Sequence, residues 1–376
     1  MKNFAFARLT LASLALAALA ACGGGGGGGG ETPAAGGGTG GNVPPVTTPE
    51  TPPKEPDAPA GGTDPVVVPP TTAPYVAPAA ATVADCPRFL TAAAAESVID
   101  LSDSKVKAQY DYLKALDPNG AYQSFIRFPQ QYMAWYNTYV GSWDPIQSHG
   151  TSNHETLHAI DQQLTTNCPA SVPETNNNSY LLQGTLYRTD LKTGVTDTPT
   201  YSSTVDAELP VALKTGLRYN TYIAGGVNAG NGLGQLLDEL NAYTNSAMLE
   251  NKILAGGSPA SSTAVGYDAD LGGTVDFMIY LQSYIKSARL NAPTAYAAIQ
   301  GKTALIAYIN AVWAQAEQAL DDGYPYTVIS GSTASRRLIV SKAALQEIYS
   351  AGMLSELDAL GIAHKPAAYF NTTYLH

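Results

Sequence analysis

The stretch "SHGTSNHETLHAID" (148–161) decides how the rest of the chain is interpreted, because it holds three of the five histidines among 376 residues. Its apolar spacing predicts a helix from His154 to about Leu164. Ser152 or Asn153 is expected to cap the N-terminus of that helix, since their short polar side chains accept hydrogen bonds from free backbone amides. His149 would then precede the cap and lie too close upstream to join the other two histidines.

Residues His154, Glu155 and His158 spell the pattern H-E-x-x-H. Histidines four residues apart lie on one face of a helix, so both imidazoles can point at a single ion. Zinc binds neutral imidazoles readily, and a catalytic zinc site keeps one position for water. Glu155 lies about 100° around the helix from His154, within reach of such a water without binding the ion itself. The pattern therefore predicts a Zn²⁺ site with Glu155 as the general base.

A catalytic zinc site normally needs a third protein ligand. One common source is excluded, because the longer H-E-x-x-H-x-x-G-x-x-H pattern requires glycine and histidine where Asp161 and Leu164 stand. The remaining option is a carboxylate from a second helix. The predicted helix "LLDELNAYTNSAMLE" (236–250) offers Asp238, Glu239 and Glu250.

The two stretches "HETLHAID" and "DELNAYT" together resemble the gluzincin group of zinc metallopeptidases, whose third ligand is a helical glutamate in an E-x-x-A or similar context. The first also resembles the lethal-factor-like branch of that group. The resemblance covers only two short helices. It implies a zincin-like catalytic domain in which His154, His158 and Glu239 bind Zn²⁺ and Glu155 is the base. The chain departs from some relatives at Tyr243, where they carry an acidic residue.

Several neighbours of the site keep alternatives open. Asp238 is a rival third ligand on a different face of the helix, whereas Glu250 lies three turns beyond Glu239 and cannot bind the same ion. Asp161 follows His158 by three residues and either orients a ligand histidine or is a solvated charge. An oxyanion donor is also expected, and three tyrosines are candidates for it: Tyr219, Tyr222 and Tyr243.

The wider pattern predicts an α+β fold that is predominantly α-helical. Helices are expected at six places: 103–116, 121–140 with a break at Pro129, 232–254, 274–290, 294–320 and 341–357. Between Ser179 and Asp206 the pattern changes to short β-like runs, which predict a hairpin insert with its loop at Gly194. The glycine-rich stretch 224–234 lacks the Lys-Ser/Thr of a phosphate loop and is interpreted as a flexible loop.

The N-terminus predicts export. Residues 1–21 combine Lys2 and Arg8 with a short apolar run and are interpreted as a signal peptide. The run ends in "LAAC" (19–22), which resembles the bacterial lipoprotein processing box, so Cys22 is expected to be lipidated and to anchor the protein in a membrane. Gly23 after that cysteine favours the outer membrane by the same resemblance, with the folded domain in the periplasm or at the cell surface.

Residues 22–84 are rich in Gly, Pro and Thr and are expected to form a disordered tether, which leaves 85–376 as one large domain. Removal of the two cationic signal residues changes the formal charge from −11 to −13, which argues against a nucleic-acid partner. Cys86 and Cys168 are then the remaining cysteines of an exported protein, and we expect them to form a disulfide.

Two classes of function follow from these observations. The first is a membrane-tethered zinc metallopeptidase that acts on a protein or peptide substrate, and the same chemistry would also cleave a cell-wall amide. The second is a zinc-containing lipoprotein without catalysis that acts as a binding or structural module. An open coordination position on the ion favours the first class, and a closed set of four protein ligands favours the second.

Overall fold

The computed structural model describes residues 90–140, 145–167, 177–192, 198–225, 231–256, 270–329 and 338–373. All of them belong to one compact unit. The predicted signal peptide, the tether and the three cysteines Cys22, Cys86 and Cys168 lie outside the described residues. The lipid anchor and the disulfide therefore stay predictions.

The described chain is mostly helical with a small antiparallel sheet, as the sequence predicts. Its helices are α1 (Ala92–Ser97), α2 (Ser104–Leu116), α3 (Ala121–Arg127), α4 (Pro129–Tyr139), α5 (Pro145–Asn167), α6 (Tyr201–Glu208), α7 (Gly216–Arg218), α8 (Leu233–Ala255), α9 (Asp270–Asn291), α10 (Pro293–Gln300), α11 (Thr303–Gly323), α12 (Lys342–Ile348), α13 (Ala351–Asp358) and α14 (Ala368–Thr373). The antiparallel strands are β1 (Asn177–Leu182) and β2 (Thr185–Lys192), and β3 (Thr327–Ile329) pairs in parallel with β4 (Leu338–Val340).

The helix that carries the histidines is longer than the sequence predicts. It begins at Pro145 rather than at His154, so the prediction of a cap at Ser152 or Asn153 is wrong. The Ser152 hydroxyl donates to the carbonyl of Ser148 at 2.5 Å, which is the bonding of a hydroxyl inside a helix rather than at a cap.

The prediction of the hairpin loop at Gly194 is also wrong. Strands β1 and β2 meet at a two-residue turn of Gln183 and Gly184, whose φ angles of 48° and 78° are both positive. Such a turn matches the twist of the flanking strands and favours glycine. Gly194 lies outside the described residues, and the stretch expected to be the second strand forms helix α6 instead. Short β-branched runs do not distinguish a strand from a buried helix by period alone.

The remaining helices follow the predictions with two breaks. Helices α8 and α9 appear as single long elements, and α4 begins at Pro129 as expected. The stretch predicted as one helix over 294–320 is divided between α10 and α11 at Gly301 and Lys302. The stretch 341–357 is divided at Ser350, whose hydroxyl accepts a hydrogen bond from the Met353 amide and caps α13. Among the described helices, none is long and apolar enough to cross a bilayer.

Helix α8 is the centre of the fold, because every residue from Glu239 to Asn251 is buried. Helix α5 packs along it in the antiparallel sense, with Asn153 bonding Ser246 and His158 bonding Asp238. An apolar cluster that includes Leu157, Ile160, Leu164, Leu181 and Ala242 seals the junction of α5, α8 and β1. This packing holds the two helices that carry the predicted metal ligands in one fixed register.

Candidate metal centre

Helices α5 and α8 bring together His154, His158 and Glu239, which the sequence predicts as metal ligands. The Nε2 atoms of the two histidines are 3.0 Å apart. The Glu239 Oε2 atom lies 3.6 Å from His154 Nε2 and 3.5 Å from His158 Nε2. Among the described residues these three form a group with one ligand atom each within 4.8 Å of one another.

The spacing of these three atoms suits a zinc ion. Ligands bound to zinc at about 2.0–2.2 Å in a tetrahedron stand roughly 3.4 Å from one another. The three observed separations of 3.0, 3.5 and 3.6 Å bracket that value. Glu239 Oε2 is also buried and has no hydrogen-bond partner within the described residues. A buried carboxylate oxygen without a donor is costly unless a cation satisfies it.

Glu155 follows His154 directly on α5 and is not one of the three ligands. It is only 5% exposed, although it lies about 100° around α5 from His154, on the side where Gln162 is exposed. Within the part of the chain that the structure describes, its carboxyl makes no hydrogen bond or ion pair. A buried carboxylate one residue after a ligand histidine is the group that would accept a proton from a water at the site.

Asp238 forms a hydrogen bond with His158 Nδ1, the outer ring nitrogen, which is the one that does not face His154. Its Oδ2 atom lies 2.8 Å from His158 Nδ1, and the side chain of Gln235 also donates to it at 3.2 Å. A hydrogen bond from Nδ1 leaves the lone pair on Nε2, which faces His154 and Glu239. Asp238 therefore orients a histidine from outside the group of three, and the alternative that it replaces Glu239 as a ligand has no support in this geometry.

The electrostatics of the site favour a cation. Burial lowers the pKa of His158, but the carboxylates of Asp238 and Glu239 outweigh it and raise that pKa well above its usual value. Burial raises the pKa of Glu239, but His158 and His154 outweigh it and lower that pKa to about 2. The same negative charge that favours a proton on His158 favours a divalent ion between the three ligands.

Asp161 does not contact a histidine, so the alternative that it orients a ligand is not supported. Its Oδ1 accepts the backbone amide of Leu181 at 2.8 Å, and its Oδ2 accepts the Asn241 amide at 2.7 Å. Nor is it a solvated charge, because it is only 3% exposed. Burial, followed by the charge of Asp238, raises its pKa well above the usual value. Asp161 thus attaches strand β1 to helices α5 and α8.

Two of the three candidate tyrosines lie near the site. The Tyr243 ring packs against the His154 ring with centroids 4.4 Å apart. The Tyr222 hydroxyl is 3.4 Å from the Tyr243 hydroxyl, and Tyr222 belongs to a π-helix over Tyr219–Ala224. Single π-helical turns are frequent at functional sites. Tyr219 instead donates to Asp206 at 2.9 Å, which removes it from the candidates.

The support behind Tyr243 was missed from the sequence. The Arg218 guanidinium lies 5.0 Å from the Tyr243 ring centroid and 3.3 Å from Asp276 Oδ2. On the other side, a Cβ on Gly273 would stand 2.1 Å from Tyr243 Cδ1, so only glycine lets α9 approach the ring this closely. The i, i+4 spacing of Glu239 and Tyr243 places both on one face of α8 and was the one signal available.

The other predicted neighbours lie away from the ligand group. Glu250 accepts the Asp270 amide at 3.2 Å and is not near the three ligand atoms, as its place three turns along α8 predicts. His149 lies on the same helix as His154, contrary to the prediction, but its ring packs among tyrosines and its Nδ1 is 2.9 Å from Tyr132 Oη. Burial lowers the His149 pKa to about 4, so the ring is neutral near pH 7.

Comparisons with known protein families, with curated protein sequences and with solved structures give no significant match to this chain.

Proposed function

We propose that the protein is a zinc-dependent hydrolase of peptide bonds, exported and held at a membrane by a lipidated Cys22. The observation that carries the proposal is the convergence of His154, His158 and Glu239 on one point, with the buried Glu155 directly after His154 on α5. A zinc ion held by these residues would polarise a substrate carbonyl and make a water molecule acidic near neutral pH. The remaining catalytic roles would be carried by side chains of the protein.

Glu155 has the role of proton carrier in this proposal. Its carboxylate accepts a proton from the attacking water and delivers it to the nitrogen of the departing amine. Asp238 keeps the Nε2 lone pair of His158 directed at the ligand group through the 2.8 Å contact with Nδ1. Tyr243, whose ring packs on His154, and Tyr222, whose hydroxyl lies 3.4 Å from that of Tyr243, are the candidates to donate to a developing oxyanion.

The test is the substitution Glu155→Gln in the full-length protein. The variant should bind zinc as the parent does, because Glu155 is not one of the three ligands, and should lose at least 100-fold in hydrolysis of denatured casein. Zinc content is measured by atomic absorption and hydrolysis by release of labelled peptides. Glu347→Gln on α12, a helix that carries none of the proposed site residues, is the matched control and should retain activity. Full activity of Glu155→Gln would remove the base from the proposal.

A second function is favoured by the depth of the site. His154 is 2% exposed and Glu239 is 5% exposed, although the His158 side chain is 21% exposed, and the burial of the first two is also expected if the zinc is structural. In that case the protein is a zinc-stabilised binding or structural module. Two measurements separate the two functions. If the zinc is structural, the protein unfolds at a lower temperature once a chelator removes the zinc, and it shows no hydrolysis that depends on Glu155.

A further inference from the structure

A second surface of the protein, away from the metal centre, has the character of a ligand site. It is a cavity of about 630 Å³, within the range of roughly 300–1,000 Å³ usual for small-molecule sites. Four carboxamide side chains share its lining with a threonine and a lysine: Asn119, Gln123, Gln183, Gln315, Thr185 and Lys252. These residues come from the loop before α3, from α3 itself, from the hairpin turn, and from α8 and α11.

The cavity is separate from the metal centre. Lys252 follows Glu239 by thirteen residues on α8, which corresponds to about 20 Å along the helix and roughly 220° around it. The two surfaces therefore lie on different faces of the same helix. A ligand in the cavity does not touch the proposed metal ligands, and the inference does not depend on the proposed hydrolase activity.

The walls of the cavity are held in place before any ligand binds. Gln123 donates to the Pro118 carbonyl at 2.9 Å and accepts from Arg127 at 2.9 Å. Gln183 donates to Asn245 Oδ1 at 3.1 Å. A Cβ on Gly184 would stand 2.9 Å from the backbone oxygen of Asn119, so the hairpin turn packs directly on the opposite wall. Preorganised groups lose little entropy when they bind a ligand.

Apart from Lys252, the hydrogen-bonding side chains of the lining are neutral and include both donors and acceptors. A carboxamide offers an acceptor oxygen and two N–H donors, and the only hydrogen bond of Gln315 in the described chain goes to the weakly accepting Met248 sulfur at 3.1 Å. Lys252 is the one charged residue of the lining, and its ammonium contacts the fully buried carboxylate of Asp117. The lining therefore suits a ligand without net charge.

We propose that this cavity binds a neutral saccharide of one to a few sugar units. Vicinal hydroxyls donate and accept at once, which matches carboxamides on several walls. The lining holds no aromatic ring and only Met248 as an apolar side chain, which disfavours a hydrophobic ligand. The hairpin contributes Gln183, Gly184 and Thr185, and Thr185 is already paired with Leu182, which disfavours pairing with an extended peptide.

Titration of the purified full-length protein with maltose, cellobiose and N,N′-diacetylchitobiose tests the proposal by calorimetry. At least one of these should bind saturably, with a Kd of about 0.01–10 mM. Gln315→Ala should weaken that binding roughly 3- to 10-fold, the loss expected for one hydrogen-bonding side chain. Gln318→Ala, on the same helix but bonded to Asp322, is the matched control and should bind as the parent does.

Gln183→Asn gives a second test from the opposite wall, because asparagine tolerates the positive φ of the turn while its amide is too short to reach as far. It should also weaken binding, and Glu155→Gln should leave binding unchanged whether or not it abolishes hydrolysis. The proposal is overturned when none of the three disaccharides binds, when Gln315→Ala and Gln183→Asn bind as the parent does, or when tetra-alanine or glucuronate binds more tightly than the disaccharides.

Discussion

The substitution Asp238→Asn tests how the metal centre is organised, because Asp238 and Glu239 are adjacent acids with different proposed roles. Asp238 lies 2.8 Å from the outer nitrogen of His158, whereas Glu239 Oε2 lies 3.5 Å from its inner nitrogen. Asparagine keeps the size of the side chain and one oxygen but removes the negative charge that makes the imidazole a stronger ligand.

The expected loss follows from that role. Substituting a residue that orients a ligand histidine typically weakens metal binding 10- to 100-fold, which is about 1.4–2.7 kcal/mol. Glu239→Gln removes the proposed charged ligand itself and should weaken zinc binding by more than 100-fold. Zinc affinity is measured at pH 7 by competition with a chromophoric chelator, and circular dichroism verifies that each variant is folded.

Glu250→Gln is the matched control, since Glu250 is a buried acid on the same helix about 16 Å farther along. It should bind zinc as the parent does. The reasoning fails if Glu239→Gln leaves zinc affinity unchanged, and the roles of the two acids are reversed if Asp238→Asn has the larger effect.

Two further predictions concern stability. Gly273→Ala places a Cβ 2.1 Å from the ring of Tyr243 and should lower both the zinc affinity and the free energy of unfolding, the latter by roughly 1–3 kcal/mol in urea. At Gly352 a Cβ meets nothing within 4 Å, so Gly352→Ala should raise the free energy of unfolding by about 0.5–1 kcal/mol. Equal effects of the two substitutions would contradict the packing argument. Because the pKa of His149 is lower in the folded protein, the unfolded chain binds more protons below pH 6.5. The contribution of His149 to the free energy of unfolding is therefore complete above pH 6.5 and falls by about 3 kcal/mol in total as the pH approaches 4. His149→Gln should remove that part of the difference in urea stability between pH 7 and pH 4.5, and an unchanged difference would refute it.

Local sequence patterns predicted where most helices lie, but they were less accurate about the residues at which each helix begins and ends. Helices α8 and α9 are long and periodic, and their existence follows from the sequence. The start of α5 does not, because Ser152 and Asn153 are good capping residues that here lie inside a helix, where Ser152 bonds back to the carbonyl of Ser148. The hairpin turn at Gln183 and Gly184 was overlooked, since Gln-Gly is a weaker turn signal than Asn-Gly.

Some residues of the site could likewise be predicted from the sequence and others could not. His154, Glu155 and His158 follow from the sequence, because one helix fixes the relative directions of residues one and four apart. The choice between Asp238 and Glu239 does not follow from the sequence. These adjacent residues point about 100° apart, and only the packing of α8 on α5 decides which one faces the imidazoles. The role of Asp161 in holding strand β1 was likewise invisible, because Leu181 lies twenty residues away along the chain.

The sequence by itself determined the residues of the H-E-x-x-H turn, the predominance of helix and the presence of a small β segment, all of which depend on contacts within one element or between neighbours in the chain. The tertiary structure decided which carboxylate joins the histidines, which one orients them and which tyrosines lie behind them. Those relations depend on the register and rotation of α5 against α8 and α9, and burial of side chains from distant segments sets that register.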